Sequence, residues 1–223
     1  MKDMNFLALL KFGSEKDLTD LYENGTIYLN TLQYFNNLED NGLRGDNYEG
    51  ILQVINYTSG KFDILQGGKP FLKDLNYRSI HLRQSYPNLV GNVYSLFGLR
   101  PMHLANQKDF LFDPRLKLFG SHFVMILNDG IQEFFDKIFD WLAKMNIRYG
   151  SGFINYYNKF MVNGSITLFM KPDNYAYQNE FRIYTEYKMN EPISFKIGSI
   201  KHIAKMFPSD ILDNMTIHNS LFD

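Results

Sequence analysis

The sequence contains the segment Tyr177-Gln178-Asn179-Glu180-Phe181-Arg182-Ile183-Tyr184, in which charged and apolar side chains alternate from Glu180 to Ile183. Successive side chains of a β-strand point to opposite faces of a sheet. The alternation therefore predicts a strand that buries Phe181 and Ile183 in a core. It places Gln178, Glu180 and Arg182 together on the opposite face.

The rest of the sequence indicates more strands than helices, without regular alternation of the two. Apolar runs predict further strands at residues 6–12, 27–29, 51–57, 61–65, 77–82, 93–99, 119–127, 165–170 and 193–195. Helical spacing and capping signals predict helices at 15–23, 31–38, 129–145 and 209–214. We therefore predict one domain, residues 1–223, of the α+β class, with a mixed, mainly antiparallel sheet and a few packed helices.

Three short patterns refine these predictions. Ser14 and Asp17 resemble a capping box at a helix start, and Gly25 stands where a left-handed helix cap is expected. Thr58-Ser59-Gly60 separates two strand-like runs and predicts a hairpin between residues 51–57 and 61–65.

Composition narrows the class of protein. Cysteine is absent, which excludes disulfides and thiolate chemistry and favours a reducing compartment, so we expect a cytoplasmic protein. The apolar run 6–10 is too short for a signal peptide, and no segment approaches the roughly 20 apolar residues that span a bilayer. A formal net charge of -1 gives no overall attraction to a phosphate backbone but leaves a local basic surface open.

Glu180 and Gln178 are the residues best suited to catalysis. A carboxylate on a strand can hold a ribose hydroxyl and stabilise an oxocarbenium-like transition state, while an amide nearby orients a nucleophile. The alternative from the strand pattern alone is that Glu180 and Arg182 form a surface ion pair, worth at most about 1 kcal/mol.

The Gln178-x-Glu180 pattern resembles the Q-x-E signature of ADP-ribosyltransferases, whose last Glu is catalytic. The segment also resembles an uncharacterised bacterial family with a terminal K-E-W-R-I-like motif, suspected of relation to that fold. Other marks of the family match in order along most of the chain, at Lys11-Phe12, Gly25–Phe35, Gly45–Gly50 and Pro192–Ile200.

This resemblance implies an ADP-ribosyltransferase-like fold and transfer of ADP-ribose from NAD to a protein or nucleic-acid acceptor, in a toxin or phage-defence role. Glu180 would then be catalytic, and Gln178 would orient the acceptor. Tyr28 would pack on nicotinamide, with Tyr34 as the rival for that position. Lys11 would contact ribose or phosphate, where such transferases carry His or Arg.

A polar loop at residues 39–50 offers other chemistry. Four carboxylates lie within it, and Asp46 with Glu49 could hold Mg²⁺ for a nuclease reaction. Arg44 could instead contact a nucleotide phosphate. A further alternative is a non-catalytic module of the same fold that binds nucleotide or RNA. No P-loop, G-x-G-x-x-G or zinc-binding histidine spacing occurs.

Overall fold

The structure is a computed structural model that describes residues 5–38, 49–87, 89–105, 108–187 and 190–219; of Asn128 only the backbone is described. Its strands pair almost entirely in antiparallel fashion, and helices pack on them, which confirms the predicted α+β class. Within those residues, no helix is both long and apolar enough to cross a bilayer.

Seventeen strands and three α-helices occur in the described residues. The strands are β1 (Ala8–Gly13), β2 (Thr26–Thr31), β3 (Ile51–Tyr57), β4 (Gly60–Gln66), β5 (Lys69–Tyr77), β6 (Ile80–Ser85), β7 (Asn92–Leu99), β8 (Asp109–Leu111), β9 (His122–Leu127), β10 (Tyr149–Phe153), β11 (Asn155–Tyr157), β12 (Gly164–Ser165), β13 (Met170–Pro172), β14 (Glu180–Thr185), β15 (Ile193–Lys196), β16 (Ala204–Pro208) and β17 (Thr216–His218). The α-helices are α1 (Glu15–Asn24), α2 (Leu32–Asn37) and α3 (Asn128–Lys144). Short 3₁₀ helices cover Pro101–His103, Pro114–Phe119, Asp173–Gln178 and Ser209–Asp213.

An eight-stranded antiparallel sheet organises the fold. Its strands run in the order β10-β14-β7-β1-β9-β16, and β2 pairs with both β7 and β15. β14 pairs with β7 along residues 92–97. On the other edge of β7, β1 pairs only at residues 97–99 and β2 only at 92–93. β1 and β2 therefore diverge from a common neighbour and leave an opening beside residues 94–96.

Two apolar cores cover the two faces of this sheet. On one face α1 and α3 pack against the strands, and Phe134, Phe135 and Ile138 of α3 are completely or almost completely buried. Phe181 and Ile183 lie in the same core with no exposed surface, as the alternation in β14 predicts. The apolar stripe of α3 is thus core, which confirms the predicted helix.

The boundaries of α1 follow from its sequence. The Ser14 hydroxyl accepts a hydrogen bond from the Asp17 amide at 3.2 Å and caps the first turn. Gly25 ends the helix with φ 67°, a left-handed conformation that costs glycine little. The predicted helix start at Ser14 and the predicted left-handed cap at Gly25 are confirmed, and the Asp17 carboxylate accepts from the Ser14 hydroxyl at 2.7 Å.

The predicted hairpin between residues 51–57 and 61–65 is wrong. β3 pairs with β6, and β4 pairs with β5 through a turn at Gly67 and Gly68. Both glycines have positive φ, as a two-residue hairpin turn of the matching twist requires. We call residues 51–85 the arm: its base is the β3–β6 pair and its tip is the β4–β5 ribbon.

The predicted strand at residues 165–170 is also wrong for most of its length. β12 covers only Gly164–Ser165, and β13 begins at Met170. β12 pairs with β3 of the arm, whereas β13 pairs in parallel with β11. Residues 166–169 therefore connect two different sheets.

We predict that Gly25→Ala destabilises the protein far more than Gly67→Ala. Both positions have positive φ, which costs an alanine about 1–2 kcal/mol. A Cβ at Gly25 would also overlap the carbonyl oxygen of Gly198, whereas a Cβ at Gly67 would meet no atom within 4 Å. Urea unfolding of both variants measures the difference, and equal losses would contradict the proposed close approach.

Candidate active site

A cavity of about 780 Å³ lies at the opening between β1 and β2. Its volume falls within the roughly 300–1,000 Å³ of small-molecule sites. Five of the six residues predicted to act on a ligand line it, namely Lys11, Tyr28, Tyr34, Gln178 and Glu180. The sixth, Arg44, lies outside the described residues.

The sheet register shows which of these side chains share a face. Arg182 stands opposite Ser95, and Asn30 stands opposite Val93, so these four residues lie on one face. Glu180 and Tyr28 each lie two residues from a member of that set and share the face. Glu180 and Tyr28 therefore approach the cavity from the same side of the sheet.

Lys11 approaches the cavity from the opposite face of the sheet. It pairs in register with Val124, which lies in the core beneath α1 and α3. Its ammonium Nζ donates a hydrogen bond to the Ser95 carbonyl oxygen at 3.0 Å and lies 4.2 Å from the centre of the Tyr94 ring. Lys11 thus reaches into the opening beside β7.

Four buried charged side chains, one of them Glu180, line the cavity. Lys171, Glu180, Arg182 and Glu49 are each at most 5% exposed and alternate in charge. Lys171 Nζ lies 2.6 Å from Glu180 Oε2, and Arg182 Nε lies 2.9 Å from Glu180 Oε1. Arg182 binds both oxygens of Glu49, at 2.8 and 3.0 Å. We call these four residues the charge quartet.

Neutral groups complete the hydrogen bonding of the charge quartet. The Ser95 hydroxyl donates to Glu180 Oε1 at 2.6 Å, and Arg182 donates to the Leu168 carbonyl at 2.7 Å. The Gln178 side-chain oxygen accepts from Lys171 at 3.2 Å. Buried charges are tolerated only when paired and hydrogen-bonded in this way.

The charge quartet keeps Glu180 ionised. Burial alone raises the pKa of the Glu180 carboxyl, but the charges of Arg182 and Lys171 and the hydrogen bond from Ser95 outweigh it and hold the pKa far below the ordinary value. Burial lowers the pKa of Arg182, and the two carboxylates beside it raise that pKa above its usual range. Glu180 is therefore an anion near neutral pH and can accept, but not donate, hydrogen bonds.

Gln178 reaches the cavity, although not from the predicted strand position. It ends the 3₁₀ helix Asp173–Gln178, and Asn179 adopts a left-handed conformation with φ 40° before β14 begins. The prediction that Gln178 shares the strand with Glu180 is wrong, because this kink interrupts the alternation. The two side chains are instead linked through Lys171, which contacts both.

Tyr28 and Tyr34 offer aromatic surface to a ligand. Tyr28 is 51% exposed and Tyr34 is 44% exposed, although both line the cavity. Tyr34 lies in α2, where its ring meets Phe35 edge-on at 5.3 Å. Both rings are therefore open to stacking.

The contacts of Glu49 do not match its predicted role as a metal ligand. Both of its oxygens bind Arg182 in the charge quartet, and its proposed partner Asp46 lies outside the described residues. Across the part of the chain that the structure describes, no group of three or more His, Asp or Glu side chains can hold a metal ion.

Two residues of the site had no sequence signal. Lys171 and Ser95 stand in ordinary strand patterns, and neither belongs to a recognisable motif. Ser95 meets Glu180 only because β7 pairs with β14, 85 residues away, and Lys171 meets Glu180 only because β13 lies beside the cavity.

Comparisons with known proteins add no relative to this description. No family model matches the sequence, no curated protein matches it, and no solved structure matches the fold. The ADP-ribosyltransferase-like assignment therefore stays a prediction that depends on motifs and on the geometry of the cavity.

We predict that Glu180→Gln lowers the free energy of unfolding by about 3–5 kcal/mol, because it leaves a buried cation without its partner. Lys171→Met combined with Glu180→Gln removes one charge of each sign and leaves Arg182 paired with Glu49. The double variant should recover most of the loss in urea unfolding. A double variant less stable than Glu180→Gln would contradict the charge quartet as a set of compensating charges.

We also predict a specific loss of stability in acid. The folded-state pKa of Glu180 lies below its ordinary value of 4.5, so the ionised carboxylate stabilises the fold above that pH and this contribution is lost as pH falls. Between about pH 5 and pH 3, the unfolding free energy of the wild type should fall more steeply than that of the Lys171→Met/Glu180→Gln variant. Parallel pH profiles in urea unfolding would contradict this assignment.

Proposed function

We propose that this protein binds NAD in the cavity between β1 and β2 and transfers its ADP-ribose to a macromolecular acceptor. The observation that carries the proposal is that one cavity is lined by Glu180, Gln178, Tyr28, Tyr34 and Lys11. The fold brings these residues together from β1, β2, α2, the 3₁₀ helix Asp173–Gln178 and β14.

Glu180 would act on the bond between ribose and nicotinamide. Its carboxylate stays ionised, so it stabilises positive charge as the C–N bond breaks and nicotinamide leaves with the bonding electrons. The acceptor then bonds to the ribose C1′ and releases a proton. Ser95 donates to Glu180 Oε1 at 2.6 Å. A ribose hydroxyl bound in the cavity would replace Ser95 as that donor.

The other lining residues would bind and orient the two substrates. Tyr28 shares the sheet face of Glu180 and would stack on nicotinamide, with Tyr34 as the second candidate. Gln178 would orient the acceptor. Lys11 would contact a ribose or phosphate oxygen from the opposite face, and Arg44 is proposed to contact a phosphate. A cytoplasmic toxin or phage-defence role belongs to the same proposal.

A second candidate function is a non-catalytic nucleotide- or RNA-binding module of the same fold. It is favoured by the contacts of Glu180, both of whose oxygens are bound by Ser95, Arg182 and Lys171. In such a module the charge quartet would only shape the cavity. The nuclease alternative has less support, since Glu49 pairs with Arg182.

Labelled NAD with cell lysate tests the proposal. Wild type should transfer label, whereas Lys171→Met/Glu180→Gln should bind NAD without transferring it. Lys171→Met alone keeps the carboxylate and should retain part of the activity. Tyr28→Ala should weaken NAD binding by about five-fold or more, through loss of stacking. Tyr149→Ala is the matched control, because that ring is 43% exposed and lies outside the cavity lining.

The outcomes separate the candidates. NAD binding by calorimetry without any transfer by wild type would favour the non-catalytic module. Cleavage of nucleic acid that is lost in EDTA would favour the nuclease, because ADP-ribosyl transfer as proposed uses no metal. Absence of both NAD binding and transfer would overturn the proposal.

A further inference from the structure

The tip of the arm presents apolar side chains to solvent. β4 and β5 form a sheet of their own, and every residue of β4 is exposed. Phe62, Ile64 and Leu72 are each more than 40% exposed. Register places Phe62 opposite Leu75 and Ile64 opposite Leu72, so these side chains share one face of the ribbon. An isolated two-stranded ribbon is only marginally stable in water, and an apolar face of this kind is typical of a binding surface.

The arm is also basic within an acidic protein. Residues 51–85 contain five Lys and Arg and two Asp, a net charge of +3, in a chain whose formal charge is -1. The remainder of the chain therefore carries -4. Asp63 accepts a hydrogen bond from the Asp74 amide at 2.8 Å, and Asp74 pairs with Lys61 at 3.4 Å. Both acidic groups are thus already engaged within the arm.

Exposed aromatic rings lie among these basic groups. Phe71 is 64% exposed near the tip, and Tyr57 is 47% exposed where β3 ends. Beside the base, Phe160 is 65% exposed, with the His81 ring 5.9 Å away and the Lys159 ammonium 5.1 Å from its centre. Cations interleaved with open aromatic rings are the arrangement that binds phosphates and stacks bases.

We propose that the arm binds single-stranded nucleic acid, and that this nucleic acid is the acceptor in the reaction proposed above. Charge favours this partner over a second copy of the chain, because two arms of +3 repel each other. The exposed rings favour it over an acidic protein, because every base offers a face for stacking.

The arm is joined directly to the cavity. Glu49 lines the cavity and binds Arg182 of the charge quartet, and Ile51 two residues later begins the arm and is buried. A nucleic-acid strand bound along the arm as far as its base would therefore end close to the cavity that is proposed to hold NAD. This step depends on the proposed function, whereas nucleic-acid binding by the arm does not.

Fluorescence anisotropy with short labelled single-stranded DNA and RNA, across a range of salt concentrations, tests the arm. Lys69, Lys73 and Arg78 are exposed. Replacing all three by Gln should reduce the slope of log affinity against log salt by about 2, since each phosphate contact contributes about 0.7 on a single strand. An unchanged slope would overturn the proposal.

A matched variant controls for total charge. Lys16, Lys144 and Lys205 are also exposed and lie outside the arm. Their joint replacement by Gln changes the net charge equally and should leave the slope unchanged. An equal effect of the two triple variants would mean that net charge, and not the arm, governs binding.

Stacking is tested separately. Phe71→Ala should weaken oligonucleotide binding roughly 5- to 150-fold. Leu118 is 67% exposed and lies outside the arm, and Leu118→Ala should have no effect. Equal effects of both substitutions, stronger competition by polyglutamate than by oligonucleotide, or an arm-dependent dimer in ultracentrifugation would each overturn the proposal.

Calorimetry with NAD distinguishes this inference from the proposed function. The arm variants should bind NAD as tightly as wild type but label nucleic acid less. Oligonucleotide binding through the arm without NAD binding would contradict the proposed transferase function and support nucleic-acid binding by the arm. NAD-dependent labelling of protein, with no arm-dependent oligonucleotide binding, would support the proposed transferase function. It would contradict the proposal that nucleic acid is the acceptor.

Discussion

Two buried carboxylates and two buried cations, arranged in alternating order, hold the centre of this protein together. A lone charge at that depth is costly, so each member of the charge quartet requires the others at hydrogen-bond distance. The residues come from the segment just before the arm, from β13 and from β14, and Ser95 adds a contact from β7. The charge quartet therefore links elements that are distant along the chain, beside an apolar cluster of Ile51, Val54, Tyr157 and Ile166.

The cavity follows from a second constraint, the divergence of β1 and β2 along one edge of β7. Between the residues that pair with β1 and those that pair with β2, this edge of β7 has backbone groups that a continuous sheet would pair with a neighbouring strand. Lys11 contacts one of these groups, the Ser95 carbonyl. The same residue thus meets Lys11 through its backbone and Glu180 through its hydroxyl. Ser95 therefore links Lys11 on one face of the sheet to Glu180 on the other, at the opening where the proposed substrate would bind.

Sequence patterns predicted the local features well and the pairings poorly. Alternation identified β14, and helical spacing identified α3, because each pattern reports burial along one element. The hairpin was misplaced since Thr58-Ser59-Gly60 gives a turn signal without naming the strands that pair across it. Gln178 was placed on the strand because nothing local shows that Asn179 turns left-handed. Lys171 had no signal at all, as its role depends on a partner in another element.

The span of the contact between Glu49 and Arg182, 133 residues along the chain, also bears on biosynthesis. Until β14 has been synthesised, Glu49 lacks its partner Arg182, and β7 is paired along only one of its two edges. Closure of the centre must wait for β13 and β14 to emerge, so the last steps of folding are dominated by contacts of long sequence separation, which form slowly. Nascent chains that stall before β14 would leave this edge of β7 unpaired, and unpaired strand edges promote aggregation.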